Sequence, residues 1–415
     1  MRKTLEIKAA LACLFACASC LCASAQGGVE PGQVPYENDY CFGLDLSFVR
    51  RAEQRGDVFY DTDGSQRSPW EIFRTHGYNW GRLMLCSEPS YLGQGIDNVV
   101  ENARELKRHG YHFALDYMIS DDWSNPMRQP VPKSWEGLSP RGLEQKLHDF
   151  VYDTMCRLRD EGLMPEIVQI GNEISNGTLW PSGRVFYGEE KKDRSQWRQF
   201  TDYLKAGIRA VREADPDEKV QVMLHVDFGG DVNFTDVFFS KMEEYGVEFD
   251  LVGYSFYPWS HGTLMDLRDN LAYTIRRFRK PVIVIETGFY SCPSDYFEKK
   301  GYRAAFPETP EGQREWMQAV NEIVMAAPDN MGLGVFWWEP MYSGRGFFDD
   351  DTHVVKPVVD AFRRYTMPAV RTDGNPRSGI QKNKTTNGYK EGGDHRRWSP
   401  PSSVNHAPNG SGCLP

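Results

Sequence analysis

Short apolar runs alternate with longer amphipathic stretches along most of this 415-residue chain, and this alternation restricts the fold more than any other feature. The runs are typical of buried strands, and the stretches of helices packed on a sheet. The predicted strands are Phe42–Leu46, Asn79–Leu85, Tyr111–Asp116, Glu166–Ile170, Lys219–Leu224, Phe249–Tyr254, Pro281–Ile285 and Met331–Phe336. The predicted helices include Ile96–His109, Gly142–Glu161, Gln196–Ala214, Thr263–Phe278, Gln313–Ala326 and a closing helix Val355–Tyr365. Eight such units predict an α/β fold, the (β/α)8 TIM barrel.

The N-terminus has the pattern of a secretory signal peptide, predicted for residues 1–25. Arg2 and Lys3 precede an apolar stretch that is too short for a stable membrane anchor, and Ala23-Ser-Ala25 supplies a small-residue cleavage site. A lipoprotein anchor at Cys20 is disfavoured because the residues before it lack the usual aliphatic side chain. We therefore expect a secreted or periplasmic protein.

Three further segments follow from composition. Residues 26–40 are predicted to be a linker and residues 41–368 the (β/α)8 barrel. Residues 369–415 are rich in Gly, Pro, Ser and Asn, so they bury too little apolar surface to offset the entropy of ordering and are predicted to be a disordered tail.

The net charge of −10 argues against nucleic acid or an anionic membrane as a partner. No second apolar stretch approaches the length of a membrane span. A neutral or weakly charged substrate fits this composition better, and we expect a monomer.

Two predicted strands end in a carboxylate, at the face of the barrel where active sites lie. Glu173 follows strand 4 in the stretch Ile167-Val-Gln-Ile-Gly-Asn-Glu-Ile174, and Glu286 ends strand 7. Two carboxylates over one barrel mouth suit glycoside hydrolysis, and in retaining enzymes they lie roughly 5 Å apart. Arg82 on strand 2 could hold one of them ionised. Either carboxylate could instead be structural.

Several motifs, taken together, resemble glycoside hydrolase family 53, the arabinogalactan endo-β-1,4-galactanases. They occur in order from about Cys41 to Tyr365. The motifs are Gly43-Leu-Asp-Leu-Ser47, Phe59-Tyr-Asp-Thr-Asp-Gly64, Leu115-Asp116 with Ser120-Asp-Asp-Trp-Ser-Asn-Pro126, Gly171-Asn-Glu-Ile-Ser-Asn-Gly177 with Leu179-Trp-Pro181, Ser255-Phe-Tyr-Pro-Trp-Ser-His-Gly-Thr-Leu264, Glu286-Thr-Gly288 and Trp338-Glu-Pro340.

The resemblance implies roles for individual residues and β-1,4-galactan as the polysaccharide partner. Glu173 would be the acid/base and Glu286 the nucleophile of a retaining endo-acting enzyme. Asn172 would bind the sugar 2-hydroxyl, Arg82 and Tyr257 would orient the nucleophile, and Trp338 would form a sugar-binding floor. The further candidates, each of which could contact sugar or be structural, are Asp45, Asp121, His225, Trp123, Trp180 and Trp259.

The sequence also departs from the family pattern at Met118 and Cys86, where the family has a histidine and a tryptophan. We expect the reaction to survive and the sugar subsites to differ. Some family members bind structural calcium after strand 7. Here Ser291–Ala305 offers Asp295 and Glu298 without a convincing ligand cluster, so no metal and no cofactor are predicted.

Two other functions fit the same pattern. One is a different retaining barrel glycosidase, of the β-mannanase or xylanase type. The other is a glycan-binding barrel that has lost turnover, against which the intact pair Glu173 and Glu286 speaks.

Overall fold

The computed structural model describes residues 40–89, 92–185, 194–301, 303–341 and 344–365. The predicted signal peptide, nearly all of the linker and the predicted tail lie outside these residues. None of the described helices has both the length and the apolar character needed to cross a membrane.

Eight parallel strands form a closed barrel in chain order, which confirms the predicted fold class. The strands are β1 Cys41–Asp45, β2 Trp80–Leu85, β3 His112–Tyr117, β4 Ile167–Ile170, β5 Gln221–Val226, β6 Leu251–Phe256, β7 Val282–Thr287 and β8 Gly332–Trp337. Every predicted strand boundary lies within two residues of the observed one. The barrel closes where β1 pairs with β8, with Cys41 opposite Gly334.

Helices surround the barrel, and four of those described begin at a residue whose side chain caps the helix. They are α1 Val49–Gln54, α2 Pro69–Thr75, α3 Ile96–Arg108, α4 Pro140–Asp160, α5 Arg194–Ala214, α6 Val232–Glu244, α7 Leu264–Phe278, α8 Asp295–Lys300 and α9 Pro310–Met325. The side chains of Ser139, Asp231 and Thr309 accept backbone hydrogen bonds at the starts of α4, α6 and α9. Thr263 and Asp266 form a capping box at the start of α7.

The predicted closing helix is wrong. The segment instead forms two short 3₁₀ turns, Pro357–Asp360 and Arg363–Tyr365. The carbonyl oxygen of Val358 accepts hydrogen bonds from the Ala361 N–H (3.0 Å) and from the Tyr78 hydroxyl (3.1 Å). In an α-helix this oxygen would instead accept from the N–H four residues further along the chain.

The inward-facing side chains of the barrel change from apolar to polar toward the C-terminal ends of the strands. The apolar layer comprises Cys41, Trp80, Ala114, Ile167, Met223, Leu251, Ile283, Ile285 and Phe336. Two residues further along several strands stand Arg82, Asp116, Gln169 and His225, all buried. Because strand side chains alternate in direction, both sets point into the barrel. The apolar layer forms a packed base on which the polar layer rests.

His76 joins two parts of the chain that are far apart in sequence. Its Nδ1 lies 2.7 Å from Oδ1 of Asp360, and its Nε2 lies 2.8 Å from Oδ1 of Asp61. Burial disfavours the charged imidazole, but the two carboxylates outweigh burial and raise the pKa of His76 above its usual value. The stabilising contribution is therefore complete below about pH 6.5, the unfolded value, and is lost as pH rises through the higher folded-state pKa.

Replacing His76 by glutamine should lower the free energy of unfolding by about 1.5–3 kcal/mol at acidic pH, because two hydrogen bonds to carboxylates lose their charged donor. The loss should shrink as pH rises through the folded-state pKa. Urea unfolding of the full chain between pH 5.5 and pH 9 measures it. The exposed His112, which pairs with the exposed Glu166, is the control: His112→Gln should change little at any pH. An equal loss at every pH for His76→Gln would rule out the charged bridge.

Candidate active site

Glu173 and Glu286 meet over the barrel mouth, as the sequence predicts. A carboxylate oxygen of each and a ring nitrogen of His225 all lie within 4.8 Å of one another. Glu286 is buried at 5% exposure, and Glu173 is partly exposed. Two carboxylates this close can act on one glycosidic bond. One can protonate the leaving oxygen while the other attacks the carbon to which that oxygen is bonded.

The Gly-Asn-Glu tripeptide makes a tight turn immediately after β4. Gly171 has a φ of 84°, and a Cβ there would lie 2.5 Å from the Ile174 side chain, so only glycine fits. Glu173 itself has a left-handed backbone with a φ of 46°. The Gln129 side chain donates to the carbonyl oxygens of Asn172 (2.8 Å) and Glu173 (3.3 Å). The turn is thus held in a conformation that non-glycine residues seldom adopt outside functional sites.

Both oxygens of Glu286 are held by hydrogen bonds. Arg82 Nη1 donates to Oε1 at 2.8 Å, and the Tyr257 hydroxyl donates to Oε2 at 3.1 Å. The pairing of β6 with β7 is irregular beside Ser255, and this places Ser255 opposite Glu286. Donors to both oxygens fix the orientation of this carboxylate. These contacts are the ones expected of Arg82 and Tyr257.

Arg82 is the centre of a buried polar network and is only 1% exposed. Its Nη2 donates to Asp116 (2.8 Å), Asn172 Oδ1 (2.9 Å) and Gln169 Oε1 (3.2 Å). Burial works against the charge on Arg82, but Asp116, Glu286 and Asp45 together raise its pKa, so it stays cationic. Arg82 therefore joins Glu286 on β7 to the tripeptide after β4.

Asp45 and Asp116 are the other carboxylates of this network. Burial raises the pKa of Asp45 to about 6 and that of Asp116 to about 7, although Arg82 opposes both shifts. Asp45 accepts from the backbone N–H of Ser47 at 3.1 Å and lies 3.5 Å from Arg82 Nη1. Asp45 is only 3% exposed and supports the site from beneath.

The environment of Glu173 favours its protonated form. Burial, the charge of Glu286 and the charge of Asp227 raise its pKa well above the usual carboxyl value, against smaller effects of Ser255 and Arg82. A carboxyl group that keeps its proton near neutral pH can act as a general acid.

His225, predicted either to contact sugar or to be structural, lies in the buried polar layer of the barrel. The ring is completely buried, with Nδ1 3.0 Å from Asn172 Oδ1 and Nε2 2.9 Å from Ser255 Oγ. Burial lowers its pKa well below the usual value, so the ring is neutral. It packs behind the tripeptide and positions it. Asn172 Nδ2 donates one hydrogen to the Ser124 carbonyl at 2.8 Å, and its second has no partner among the described residues.

Trp338 and Trp123 form one wall of the mouth. Their rings are 5.5 Å apart and nearly perpendicular, and the Arg82 guanidinium lies 5.4 Å from the Trp338 ring centroid. Met118 and Cys86, where the sequence departs from the family pattern, are both completely buried. They belong to an apolar cluster that packs beneath the two tryptophans. They therefore set the position of the wall and do not touch solvent.

Three other predicted sugar contacts have different surroundings. Trp259 is only 7% exposed, with its ring packed on Tyr257 and Tyr290, so it offers no open stacking face. Asp121 accepts backbone hydrogen bonds from Glu88 (3.1 Å) and Lys133 (2.7 Å), which assigns it to loop structure. Trp180 is partly exposed, and the Arg184 guanidinium lies 4.2 Å above its ring, covering one face.

The site also contains three residues that the sequence patterns did not indicate: Gln169, Ser255 and Arg345. Gln169 and Ser255 are buried on β4 and β6, and the alternation of strand side chains could have revealed them as inward-facing. The Arg345 guanidinium lies 5.8–5.9 Å from the rings of Tyr257, Trp259 and Tyr290. It comes from the loop after β8, where no periodic pattern indicates its direction.

Glu173, His225 and Glu286 are also close enough to share a metal ion. However, Arg82 and Tyr257 already occupy the oxygens of Glu286. A guanidinium at 2.8 Å would also repel a cation. We therefore interpret the cluster as a pair of reacting carboxylates with a supporting histidine.

Several known proteins are similar to this chain in sequence over the barrel. Residues 41–391 match the sequence profile described as glycosyl hydrolase family 53. An uncharacterized protein in the bgaB 5' region of Niallia circulans is 35% identical over 316 residues, which are 74% of this chain and 85% of that protein. An arabinogalactan endo-β-1,4-galactanase of Thermothelomyces thermophilus is 28% identical over 307 residues, 72% of this chain and 89% of that protein.

The fold is shared as well. The solved structure of an Ignisphaera aggregans GH53 catalytic domain superimposes with a TM-score of 0.71 at 27% identity, covering 81% of this chain and 99% of that one. The profile match spans most of the chain and includes the whole barrel with Glu173 and Glu286. This chain therefore belongs to glycosyl hydrolase family 53.

Proposed function

We propose that this protein is a retaining endo-β-1,4-galactanase that cleaves pectic β-1,4-galactan to galacto-oligosaccharides. The observation that carries the proposal is the pair Glu173 and Glu286, whose oxygens lie within 4.8 Å in a family 53 barrel. That separation fits double displacement, because an inverting enzyme needs a wider gap for a water molecule. The galactanase names of relatives support the choice of substrate.

The first half of the reaction uses both carboxylates. Glu286, held by Arg82 and Tyr257, attacks the anomeric carbon and forms a covalent glycosyl ester. Glu173 gives its proton to the departing glycosidic oxygen, so the leaving chain departs as a neutral alcohol. The free Asn172 amide hydrogen is placed to bind the sugar 2-hydroxyl, a contact that strengthens in the transition state.

In the second half Glu173 acts as a base. Now ionised, it takes a proton from a water molecule, which attacks the anomeric carbon from the face that the leaving chain vacated. The ester to Glu286 breaks, and the product keeps the β-configuration because two inversions have occurred. Both carboxylates return to their starting protonation states. Neither step needs a metal or an organic cofactor, and we propose that the enzyme uses none.

The mouth suits a neutral polymer. Trp123 and Trp338 offer ring surfaces from two different strand-end loops, and Trp180 adds a partly exposed ring from a third. Aromatic platforms at staggered positions fit galactan, because the axial O4 bends the chain. Contact with several sugars at once favours cleavage within the polymer. We also propose that the protein is secreted or periplasmic, without a lipid anchor, and monomeric.

A polysaccharide panel tests the proposal. We expect the protein to release reducing ends from linear β-1,4-galactan, with an early fall in viscosity and short galacto-oligosaccharides as products. Mannan, xylan and cellulose should be left intact, and Glu286→Gln is the matched inactive control. Cleavage of mannan or xylan without galactan would assign another specificity. Binding of galactan without turnover would make the protein a silent glycan-binding barrel.

The alkaline limb of the pH profile should report Glu173. Its raised pKa keeps the acid protonated at pH values where an ordinary glutamate is ionised, so activity falls only when pH exceeds that raised value. In Glu173→Gln no proton can be lost at this position, and the alkaline limb of kcat/KM should flatten on an activated aryl galactoside. A limb that keeps its midpoint in this variant would mean that another group controls it.

A further inference from the structure

Glu173 lies beyond the end of β4 and is not part of the described pairings of that strand. Its left-handed backbone is held instead by a side chain from another loop. Gln129, in the loop after β3, donates from Nε2 to the carbonyl oxygen of Asn172 at 2.8 Å and to that of Glu173 at 3.3 Å. Glu286 is held differently, because it lies within β7 and its own carboxylate oxygens accept hydrogen bonds.

The two carbonyl groups that Gln129 contacts belong to the peptide planes on either side of the Glu173 Cα atom. A peptide unit is planar and turns as one body, so the first plane sets φ of Glu173 and the second sets ψ. These two angles determine the direction of the Cα–Cβ bond, and with it the region that the carboxyl group can reach. One amide therefore holds both of the backbone rotations that direct this side chain.

The Gln129 amide fits its surroundings in one orientation. Its Nε2 also lies 3.1 Å from the carbonyl oxygen of Asn125, so three carbonyl oxygens surround the nitrogen, and a flipped amide would place its oxygen against all three. The two hydrogens serve three acceptors, so one hydrogen is shared. The Gln129 side-chain oxygen is buried and has no partner among the described residues. The nitrogen is therefore the end of the amide that these contacts use.

The loop that carries Gln129 is itself fastened to the loop after β4. The Trp180 backbone N–H donates to the Gln129 carbonyl oxygen at 2.8 Å, and Asn176 Nδ2 donates to the Pro126 carbonyl oxygen at 2.9 Å. Gln129 is only 1% exposed, so its amide lies behind the turn and does not touch the substrate. It is a buried donor on a fixed backbone, and its contacts act on the turn that ends in Glu173.

We propose that Gln129 is a positioning residue for the general acid, because its amide holds the peptide planes on both sides of Glu173 and so directs the carboxyl group at the glycosidic oxygen. The inference deepens the proposed function and rests on it, since it takes Glu173 as the group that protonates the leaving oxygen. Without the amide, Glu173 can leave its left-handed conformation, which few non-glycine residues adopt unaided. Protonation of the leaving group then suffers, whereas attack by Glu286 is preserved.

Gln313 provides a matched control. It is completely buried, and its Nε2 donates to the carbonyl oxygens of Phe289 at 3.0 Å and Arg345 at 2.9 Å. Its side-chain oxygen, like that of Gln129, has no partner among the described residues. Gln313 thus joins the loops after β7 and β8 as Gln129 joins those after β3 and β4. Replacement by methionine removes the same donor at either position and keeps the length of the side chain.

The first test compares two leaving groups in both variants. Gln129→Met should lose about 10²-fold in kcat/KM on linear galactan, the cost expected when a catalytic group is misplaced by about 1 Å. It should lose almost nothing on an aryl galactoside with a strongly acidic phenol, because that phenolate leaves without a proton. Gln313→Met should affect both substrates equally. Equal losses on the two substrates in Gln129→Met, or no loss on either, would overturn the proposal. If Gln129→Met does not fold, Gln129→Asn, whose amide is one carbon too short, should show the same pattern.

The second test needs no substrate. Crystal structures of the two methionine variants and of the unaltered protein show the turn directly. We expect Glu173 to leave the left-handed region in Gln129→Met, with its carboxyl group moved away from Glu286, and to keep its place in Gln313→Met. An unchanged turn in Gln129→Met would overturn the proposal even in an active galactanase. A displaced turn in a protein that does not cleave galactan would contradict the proposed function alone.

Discussion

Replacing Glu286 by alanine should reduce galactan cleavage on the order of 10⁵-fold or more, because the variant loses both the attacking group and the anion that faces the developing positive charge. The fold should survive. Arg82 keeps its ion pair with Asp116 at 2.8 Å and its contact with Asp45 at 3.5 Å, so the guanidinium is not left without a counter-charge. A thermal melt close to that of the unaltered protein would show that the loss is chemical.

Azide provides a sharper measurement on the same variant. Glu286→Ala leaves space on the α-face of the sugar, where azide can attack an aryl β-galactoside and form an α-galactosyl azide. Formation of this product identifies the face from which Glu286 works. A β-galactosyl azide, or residual galactan cleavage above a hundredth of normal, would remove Glu286 from the nucleophile role.

Replacing Glu173 by alanine should produce the second largest loss, about 10²–10⁴-fold on galactan, because the sugar leaving group requires protonation. In an aryl galactoside with an acidic phenol, the phenolate leaves without being protonated. The first step on these substrates should therefore be nearly normal, and the glycosyl-enzyme should accumulate. The comparison of the two substrates in one variant is its own control. Equal losses on both would exclude Glu173 as the acid.

Azide should again report the face of attack, with the opposite outcome. In Glu173→Ala it can enter the space left by the carboxylate and attack the glycosyl-enzyme, giving a β-galactosyl azide and restoring turnover of the aryl substrate. An α-product would indicate that the roles of Glu173 and Glu286 are exchanged.

The sequence was sufficient to predict the barrel and the meeting of Glu173 and Glu286 at its mouth. Strands buried on both faces give continuous apolar runs, and all eight were predicted within two residues. Carboxylates directly after such runs must stand at the mouth, which is why Glu173 and Glu286 could be identified. Arg82 was also predictable, because a charged residue inside a fully buried strand is seldom found without a partner of opposite charge.

Side-chain direction in the loops could not be predicted in the same way. Trp259 follows β6 just as Trp123 follows β3, yet Trp259 packs into an aromatic cluster while Trp123 lies beside Trp338 at the mouth. Loop residues have no period that links position to direction. His225 shows a different difficulty: its strand position predicts that it points inward, but only the three-dimensional arrangement shows that the ring is completely buried and lies 3.0 Å from the Asn172 side-chain oxygen.

The most direct test of the central claim is the configuration of the first product. Proton NMR during hydrolysis of linear β-1,4-galactan resolves the α- and β-anomers of a new reducing end before they interconvert. Double displacement by Glu173 and Glu286, whose oxygens lie within 4.8 Å, predicts that the β-anomer appears first and the α-anomer only later by mutarotation. An α-anomer as the first product would contradict the retaining mechanism.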